Sequence, residues 1–356
     1  MQKLSDESIK RLTSLIEIIS PSMQEHNMMS FLNKDWCSVM PGVTSKLDAM
    51  GNMEFSIRKN AAYPTLALVA HSDTICIQIT QSVGNGKYKF RSIGCSPHML
   101  LGQKVTVINE YGDTFRGVVG FDATSQFAQP KGLVFEDLWI DVPNVDNCHL
   151  IDTGDLAVLT PAFNIDGDFI IATALDDRVG LFVIGEVLRW YSKNDVPVNL
   201  TCVATVQEEV GLRGALAFDF QYKPDAVIVL DVDYATDIPY HHEDQMGRLY
   251  LQRGPGVLRK SDNSSVMRQF IKSVASARNI SLQTSLGRFV YGGTDCSSLQ
   301  SYRDIRGFHT ANISVPCRYM HSPVETVSLS DVAHSIEIIE AVIDSLPDTS
   351  LFGYNL

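Results

Sequence analysis

An α/β fold with a small β unit inserted into it is what this sequence predicts, and three features of the chain predict it. Apolar runs of strand length, Thr65–Ala70, Leu200–Val206 and Ala226–Leu230, are interspersed with helical patterns. From about Thr74 to Thr160 that texture gives way to short runs broken by turn signals. After Asp166-Gly167-Asp168 the α/β texture returns and lasts to the end.

The elements follow in order. Ile9, Leu12, Leu15, Ile16 and Ile19 recur at three- and four-residue steps, the period of a helix with one apolar face, until Pro21 ends it. Ser22-Met23-Gln24-Glu25 reads as a capping box opening a second helix. The buried strand Thr65–Ala70 ends in His71-Ser72-Asp73. In the insert, Gly84-Asn85-Gly86, Glu110-Tyr111-Gly112-Asp113 and the Gly117 to Gly120 stretch are the turns of a small β domain, read as a barrel. Beyond it, Val179–Trp190 is helical, Leu200–Val206 and Ala226–Leu230 are strands, and Val332, Ile336, Ile339 and Ile343 form one stripe of a terminal helix. The expected division is residues 1–73 with 161–356 as one discontinuous domain and 74–160 as the insert.

Bulk properties narrow the function. With 45% hydrophobic and 20% charged residues the composition is that of a globular protein. A formal charge of −12 argues against a nucleic-acid partner, which needs a basic face. The start, Met1 to Glu7, lacks the basic-then-apolar pattern of a secretory leader, and no apolar run approaches a membrane span. The cysteines at 37, 76, 95, 148, 202, 296 and 317 form no C-x-x-C pair and read as reduced thiols of a cytoplasmic protein.

Chemistry concentrates in short segments at strand ends: Ala70-His71-Ser72-Asp73, Ala174-Leu175-Asp176-Asp177-Arg178, Gln207-Glu208-Glu209-Val210-Gly211, Leu230-Asp231-Val232-Asp233 and Tyr319-Met320-His321-Ser322-Pro323. Open α/β sheets place their sites there. Each segment alone has a structural explanation, such as a helix N-cap for Asp176-Asp177. Together they supply two histidines and three carboxylates, the donor set for two divalent ions sharing one carboxylate. A second glutamate beside a ligand glutamate is what water activation needs. His241-His242-Glu243-Asp244 reads instead as an exposed polar loop, and Gly292-Gly293-Thr294-Asp295 as either a plain turn or a place where backbone approaches a ligand.

The runs A-H-S-D, A-L-D-D-R-V-G, Q-E-E-V-G-L-R-G-A, D-V-D-Y-A-T-D-I-P, G-G-T-D and P-C-R-Y-M-H-S-P-V-E resemble, in order and over nearly the whole chain, the glutamyl aminopeptidase and tetrahedral aminopeptidase family. Its members are di-metal exopeptidases, some of them labelled endoglucanases. The resemblance implies a phosphorylase/hydrolase-like peptidase domain, its mixed sheet flanked by helices, with an inserted β-barrel serving oligomerisation and substrate access. It implies that Asp176 bridges two ions, zinc or cobalt, with His71 and Asp231 completing one site and Glu209 and His321 the other. Glu208 becomes the general base, acting on a water held between the ions, and Asp73 orients His71. Gly292, Gly293 and Thr294 are the candidate substrate contacts. Thr74 stands where relatives commonly carry an acid, and Cys296-Ser297 where they carry a small Ala-Gly pair; both bear on the shape of the substrate pocket.

The implied activity is removal of N-terminal residues from small peptides by a homo-oligomer, a tetrahedral dodecamer in the family pattern. Composition leaves an N-acyl amino acid deacylase or carboxypeptidase open, because Arg178, Arg288, Arg306 and Arg318 are available to meet a substrate carboxylate. An endoglucanase and a metal-binding scaffold without catalysis are the remaining alternatives, and the resemblance decides for the aminopeptidase.

Overall fold

A computed structural model describes residues 4–39, 42–122, 132–239, 246–288, 293–301 and 308–346. The chain opens with helices α1 (Asp6–Glu17) and α2 (His26–Val39), then strands β1 (Thr44–Leu47), β2 (Met53–Ile57) and β3 (Thr65–His71). Next come β4 (Cys76–Gly84), β5 (Lys87–Ile93), α3 (Pro97–Leu100), β6 (Lys104–Ile108), β7 (Thr114–Phe121), β8 (Leu138–Asp141) and β9 (Leu156–Leu159). They are followed by β10 (Phe163–Asp166), β11 (Phe169–Ala172), α4 (Leu175–Tyr191), β12 (Asn199–Thr205), α5 (Arg213–Ala217) and β13 (Ala226–Tyr234). The last stretch holds β14 (Gly256–Leu258), α6 (Ser265–Arg278), β15 (Gln283–Ser285), α7 (Asp295–Gln300), β16 (His309–Cys317), β17 (Glu325–Ser328) and α8 (Leu329–Ser345).

The central sheet has eight strands in the order β1-β2-β12-β3-β13-β16-β14-β15. Its middle is parallel: β12 and β13 both pair with β3, and β13 pairs with β16. The edges turn antiparallel, at β2 against β12 and at β14 against β16, which makes the sheet mixed. Buried on both faces, β3 reads as an unbroken apolar run. Leu66, Leu68 and Ala70 enter the core shared with α1, α2, α4 and α8, while Ala67 and Val69 pack under Ala215, Phe218 and Leu299. Burying a leucine of this kind is worth about 1.5–3 kcal/mol.

The segment between β3 and β10 closes on itself as a barrel in the order β4-β5-β8-β7-β6-β9. All six of its pairings are antiparallel, and β4 carries register shifts between Ile79 and Gln81 and between Ser82 and Gly84. Ile77, Ile79, Tyr88, Val105, Val107, Val119, Ile140 and Ala157 fill it. Closure removes the exposed sheet edges that so short a unit could not otherwise protect. Phe121 and Phe135 pack against this core rather than standing free, and Phe127 lies outside the described residues.

Two expected local features are corrected. The second helix begins at His26, and Ser22 and Glu25 do not form a reciprocal cap. Ser22 Oγ donates instead to Asp73 Oδ2 at 2.6 Å. Glu25 Oε1 accepts from the N–H groups of Met23 at 2.9 Å and Gln207 at 3.1 Å. A buried carboxylate with unmet acceptors outcompetes a helix end that water can serve. The first helix also stops at Glu17, so Ile19 lies beyond it and packs at the base of the barrel. Among the described residues no helix is long and apolar enough to cross a membrane.

Candidate metal centre

The parallel strands deliver acids and histidines to one end of the sheet. His71 is the last residue of β3, and Thr205 beside it ends β12. Asp231 lies within β13, which runs on to Tyr234, so the strand carries both Asp231 and Asp233. Asp176 and Asp177 open α4 with non-helical backbone, joined by a cis peptide bond. Glu208 and Glu209 follow β12 on a turn that begins with Gln207 at φ +56°. That left-handed residue takes the chain out of strand geometry, so adjacent side chains are no longer forced to opposite faces. His321, at φ +63°, sits on the loop between β16 and β17.

Asp176 is the centre of the arrangement. Its Oδ1 lies 2.9 Å from His71 Nε2, and its Oδ2 lies 3.2 Å from His321 Nε2. His321 Nε2 is also 3.3 Å from Glu209 Oε2. The opposite nitrogen of each ring faces a backbone carbonyl: His71 Nδ1 donates to Asp73 O and His321 Nδ1 to Gly94 O, both at 3.1 Å. Carbonyls only accept, so the proton of each neutral ring is committed to Nδ1 and a lone pair at Nε2 faces carboxylate oxygen. Either an extra proton or a cation must lie between them.

Donor atoms from His71, Asp176 and Glu209 all lie within 4.8 Å of one another, and so do donor atoms from His71, Asp177 and Asp231. Glu209 Oε1 is buried without a hydrogen-bond partner, an orphaned acceptor that a cation would satisfy. Mixed imidazole and carboxylate donors in two overlapping groups fit a pair of divalent ions.

Electrostatics agree with that fit. Burial pushes Glu208 well above the usual carboxylate range, with Glu209, Asp231 and Asp295 adding repulsion and His71 opposing them. Burial and Asp176 raise Glu209 and Asp231 in the same way. In the metal-free protein burial also works against ionised Asp176, but His321 and His71, each with the extra proton on Nε2, donate hydrogen bonds that outweigh it and hold its carboxyl well below the usual range. So dense a set of buried carboxylates stays charged together only if cations join it.

The loops are held from behind by other acids. Asp73 Oδ1 accepts from the Glu208 N–H at 3.0 Å, and its Oδ2 from the Glu209 N–H at 3.2 Å. Its carboxylate also lies 3.4 Å from His71 Nδ1, so the same group faces the histidine and the glutamate turn. Asp177 and Glu325 were not singled out by residue type, yet the structure brings both in. Asp177 Oδ2 accepts from His71 N at 3.3 Å and its Oδ1 from Gly180 N at 2.9 Å. A Cβ at Gly180 would collide with that carboxylate, which is why a glycine follows A-L-D-D-R-V. The doubled aspartate was the available signal. Gly94 contributes only a carbonyl, from a backbone at φ +84°, and a carbonyl leaves no mark in residue type.

The cluster opens into a cleft of about 440 Å³, lined among others by Glu208, Glu209, Gly211, Asp233, Tyr234, Lys260, Arg288 and Met320. Gly293 and Thr294 line it too, and Thr294 Oγ1 is buried without a partner; Gly292 lies outside the described residues. Cys296 and Ser297 bond instead to the Asp262 carbonyl and carboxylate, and neither they nor Thr74 appear in the cleft wall. Arg178 is fully buried, donating to the carbonyls of Ser72 and Ile18, and Arg318 pairs with Asp237 at 2.6 Å. Arg306 and the run from His241 to Asp244 lie outside the described residues.

A sequence profile of the M42 glutamyl aminopeptidases matches residues 51–338. The chain belongs to that family. It is therefore an aminopeptidase, a hydrolase acting on peptide bonds. The lysyl aminopeptidase of Pyrococcus furiosus is 29% identical over 85% of this chain and 87% of its own length. Among solved structures, an aminopeptidase from the archaeon Desulfurococcus kamchatkensis superposes with a TM-score of 0.88 at 27% identity, covering 97% of this chain and 96% of that one. The Pyrococcus horikoshii TET1 peptidase, described as assembling into a tetrahedron or a large octahedral shell, gives 0.81 at 26% identity over 95% and 99%. This M42 chain thus shares its whole architecture, barrel included, with peptidases.

Proposed function

We propose that this M42 enzyme removes N-terminal residues from small peptides at a centre of two divalent ions, zinc or cobalt, held by His71, Asp176, Glu209, Asp231 and His321. The observation that carries the reading is Asp176, whose two oxygens face two different imidazoles while backbone carbonyls hold the far side of each ring. Asp176 would help to hold both ions, with His71 and Asp231 completing one site and His321 and Glu209 the other.

When bound, the ions supply Lewis acidity, making water more acidic and polarising the scissile carbonyl. Glu208 lines the cleft beside these donors and takes the proton from the attacking water, then returns it to the leaving amine. Its burial keeps its proton affinity well above that of a solvated carboxylate, which suits an acceptor working near neutral pH. Asp73 orients both His71 and the backbone of the glutamate turn. The acid-rich end of the cleft receives the cationic amine of the substrate, and Gly293 and Thr294 meet its backbone.

Arg288 and Lys260 in the cleft wall favour one competing reading, since a substrate carboxylate has cations to meet there. The deacylase and carboxypeptidase alternatives are therefore tested directly. Stripped of metal, the enzyme should lose hydrolysis of aminoacyl-anilides and recover it with zinc or cobalt, while N-acetylated amino acids and a β-glucan stay intact. Comparable cleavage of peptides with a blocked amine would replace the aminopeptidase assignment.

We further assign residues 74–160 as the unit for subunit contact and residues 1–73 with 161–356 as the catalytic domain. The assembly is a homo-oligomer, a dodecamer in the pattern of the TET1 peptidase, working in the cytoplasm on peptides small enough to enter it. Sedimentation as a monomer at micromolar concentration would remove the assembly without touching the chemistry.

A further inference from the structure

Glu325 closes the run Arg318 to Glu325 and is fully buried at the start of β17, where it pairs in register with Ala172 of β11. Two loops of unusual backbone meet at this point. Ala174, just before Asp176, has φ +57°, and His321 has φ +63°, both in the left-handed region that β-carbon residues rarely adopt. Such conformations persist only where surrounding contacts over-determine them. The contact here is one carboxylate. Glu325 Oε1 accepts from the backbone N–H of His321 at 2.7 Å, and Oε2 accepts from the backbone N–H of Asp176 at 3.1 Å.

The two loops also meet through their side chains, with His321 Nε2 3.2 Å from Asp176 Oδ2. The β16–β17 loop is closed at its base by paired bonds between Arg318 and Thr326, at 2.9 and 3.0 Å, which leaves its tip to be placed. Glu325 does not line the substrate cleft; it borders a small pocket of about 20 Å³ that Asp176 and Glu209 also line. It therefore touches the backbone of the ligand residues and not the reacting atoms.

We propose that Glu325 is a positioning residue of the metal centre, its single carboxylate locking the Asp176 and His321 loops together so that both can hold an ion. This rests on the metal centre proposed above. One buried carboxyl group accepting from two backbone N–H groups on different loops is a directional tie, and its geometry admits no equal substitute. Glutamine offers one acceptor oxygen and turns an N–H₂ toward the other donor. Aspartate, shorter by one methylene, cannot span both.

The test is zinc titration of metal-stripped protein, with melting temperature measured in parallel. Wild type should bind two zinc ions per chain. Glu325→Gln should weaken zinc binding about 10–100-fold, as loss of a partner behind a ligand typically does, and Glu325→Asp should fail to restore it. Cobalt added in place of zinc should show an altered visible spectrum in Glu325→Gln. A purely structural role would instead lower the melting temperature of the metal-free variant and leave zinc affinity as in wild type; that result overturns the proposal. Wild type binding no zinc overturns the metal centre and the clamp together, whereas two sites of unchanged affinity in Glu325→Gln overturn the clamp alone. Should the variants fail to fold, amide exchange in metal-free wild type decides: the Asp176 and His321 amides should be protected, and fast exchange at both overturns the proposal.

Discussion

His71 and Asp231 stand on β3 and β13, whereas Glu209 and His321 stand on loops beyond β12 and β16. All four face Asp176 or its neighbours, yet they are fixed by different means. On the strand side, register does the work: β3 and β13 are hydrogen-bonded neighbours, and the side chains leave the sheet at a common end. His71 and Asp231 are accordingly buried, at 3% and 6% exposure. On the loop side no ladder is available. Backbone at positive φ aims Glu209 and His321, and inner carboxylates, Asp73 for the glutamates and Glu325 for the histidine, hold that backbone. His321 remains partly exposed, its side chain at 28%. Strand register positions His71, to which Asp177 and Asp73 also bond, whereas each turn on the loop side has a buried acid in place of a ladder.

Three experiments sharpen or break that contrast. The largest effect is expected where the two neighbours on one turn are separated by role. Glu208→Gln should cut turnover at least about 10²-fold, the usual worth of a positioned proton acceptor, while both metals stay bound. Glu209→Gln should lose one ion instead. The pair is compared by metal content and rate together; a Glu208→Gln enzyme that loses a metal while Glu209→Gln keeps two would reverse the assignment.

The next effect separates the two sides. Asp177→Asn disturbs the acceptor of the His71 N–H and so should weaken metal held on the strand side about 10–100-fold. His321→Ala should empty the loop side and leave one ion on His71. Zinc stoichiometry measured for the two variants checks this, and equal loss of both ions in each variant would show that the sides are not independent.

The third effect is on folding stability and concerns the buried acid behind the turn. Burial, with Asp73 nearby, pushes Glu25 from its ordinary 4.5 up to about 7. A carboxyl raised on folding gives stability that is complete below about pH 4.5 and lost as pH climbs through 7. Glu25→Gln should therefore stabilise the metal-free protein by at most about 3 kcal/mol at pH 8, taking about 1.4 kcal/mol per pKa unit, and by nothing at pH 4. Denaturant unfolding at both pH values reads the difference, and equal stability of variant and wild type at pH 8 would contradict it.

The contrast also explains what could be read from residues alone. The apolar runs ending in His71 and at Asp231 announce strands because their period and flanks are local, and α8 declares itself through Val332, Ile336 and Ile339, all buried as expected. The insert was legible from its turns, although closure into a barrel depends on the distant pairing of β4 with β9, which no local pattern carries. The segments that the structure brings together were legible because five of them, each with an acid or a histidine, recur at the ends of apolar runs in one chain. Apart from Asp73, which the resemblance set beside His71, the holding groups were not. Asp177 resembles a helix cap, Glu325 a strand residue, and Ser22 with Glu25 a capping box, because a carboxylate that binds backbone N–H groups looks the same in sequence whether it caps a helix or supports a site.

The account stands most directly on the bridging position of Asp176. Crystals of the enzyme grown with zinc and measured at the zinc absorption edge would locate every bound ion. Two anomalous peaks per chain are predicted, one beside His71 and Asp231 and the other beside Glu209 and His321, with the Asp176 carboxylate between them. A single peak, or peaks that leave Asp176 without contact to both ions, would contradict the account.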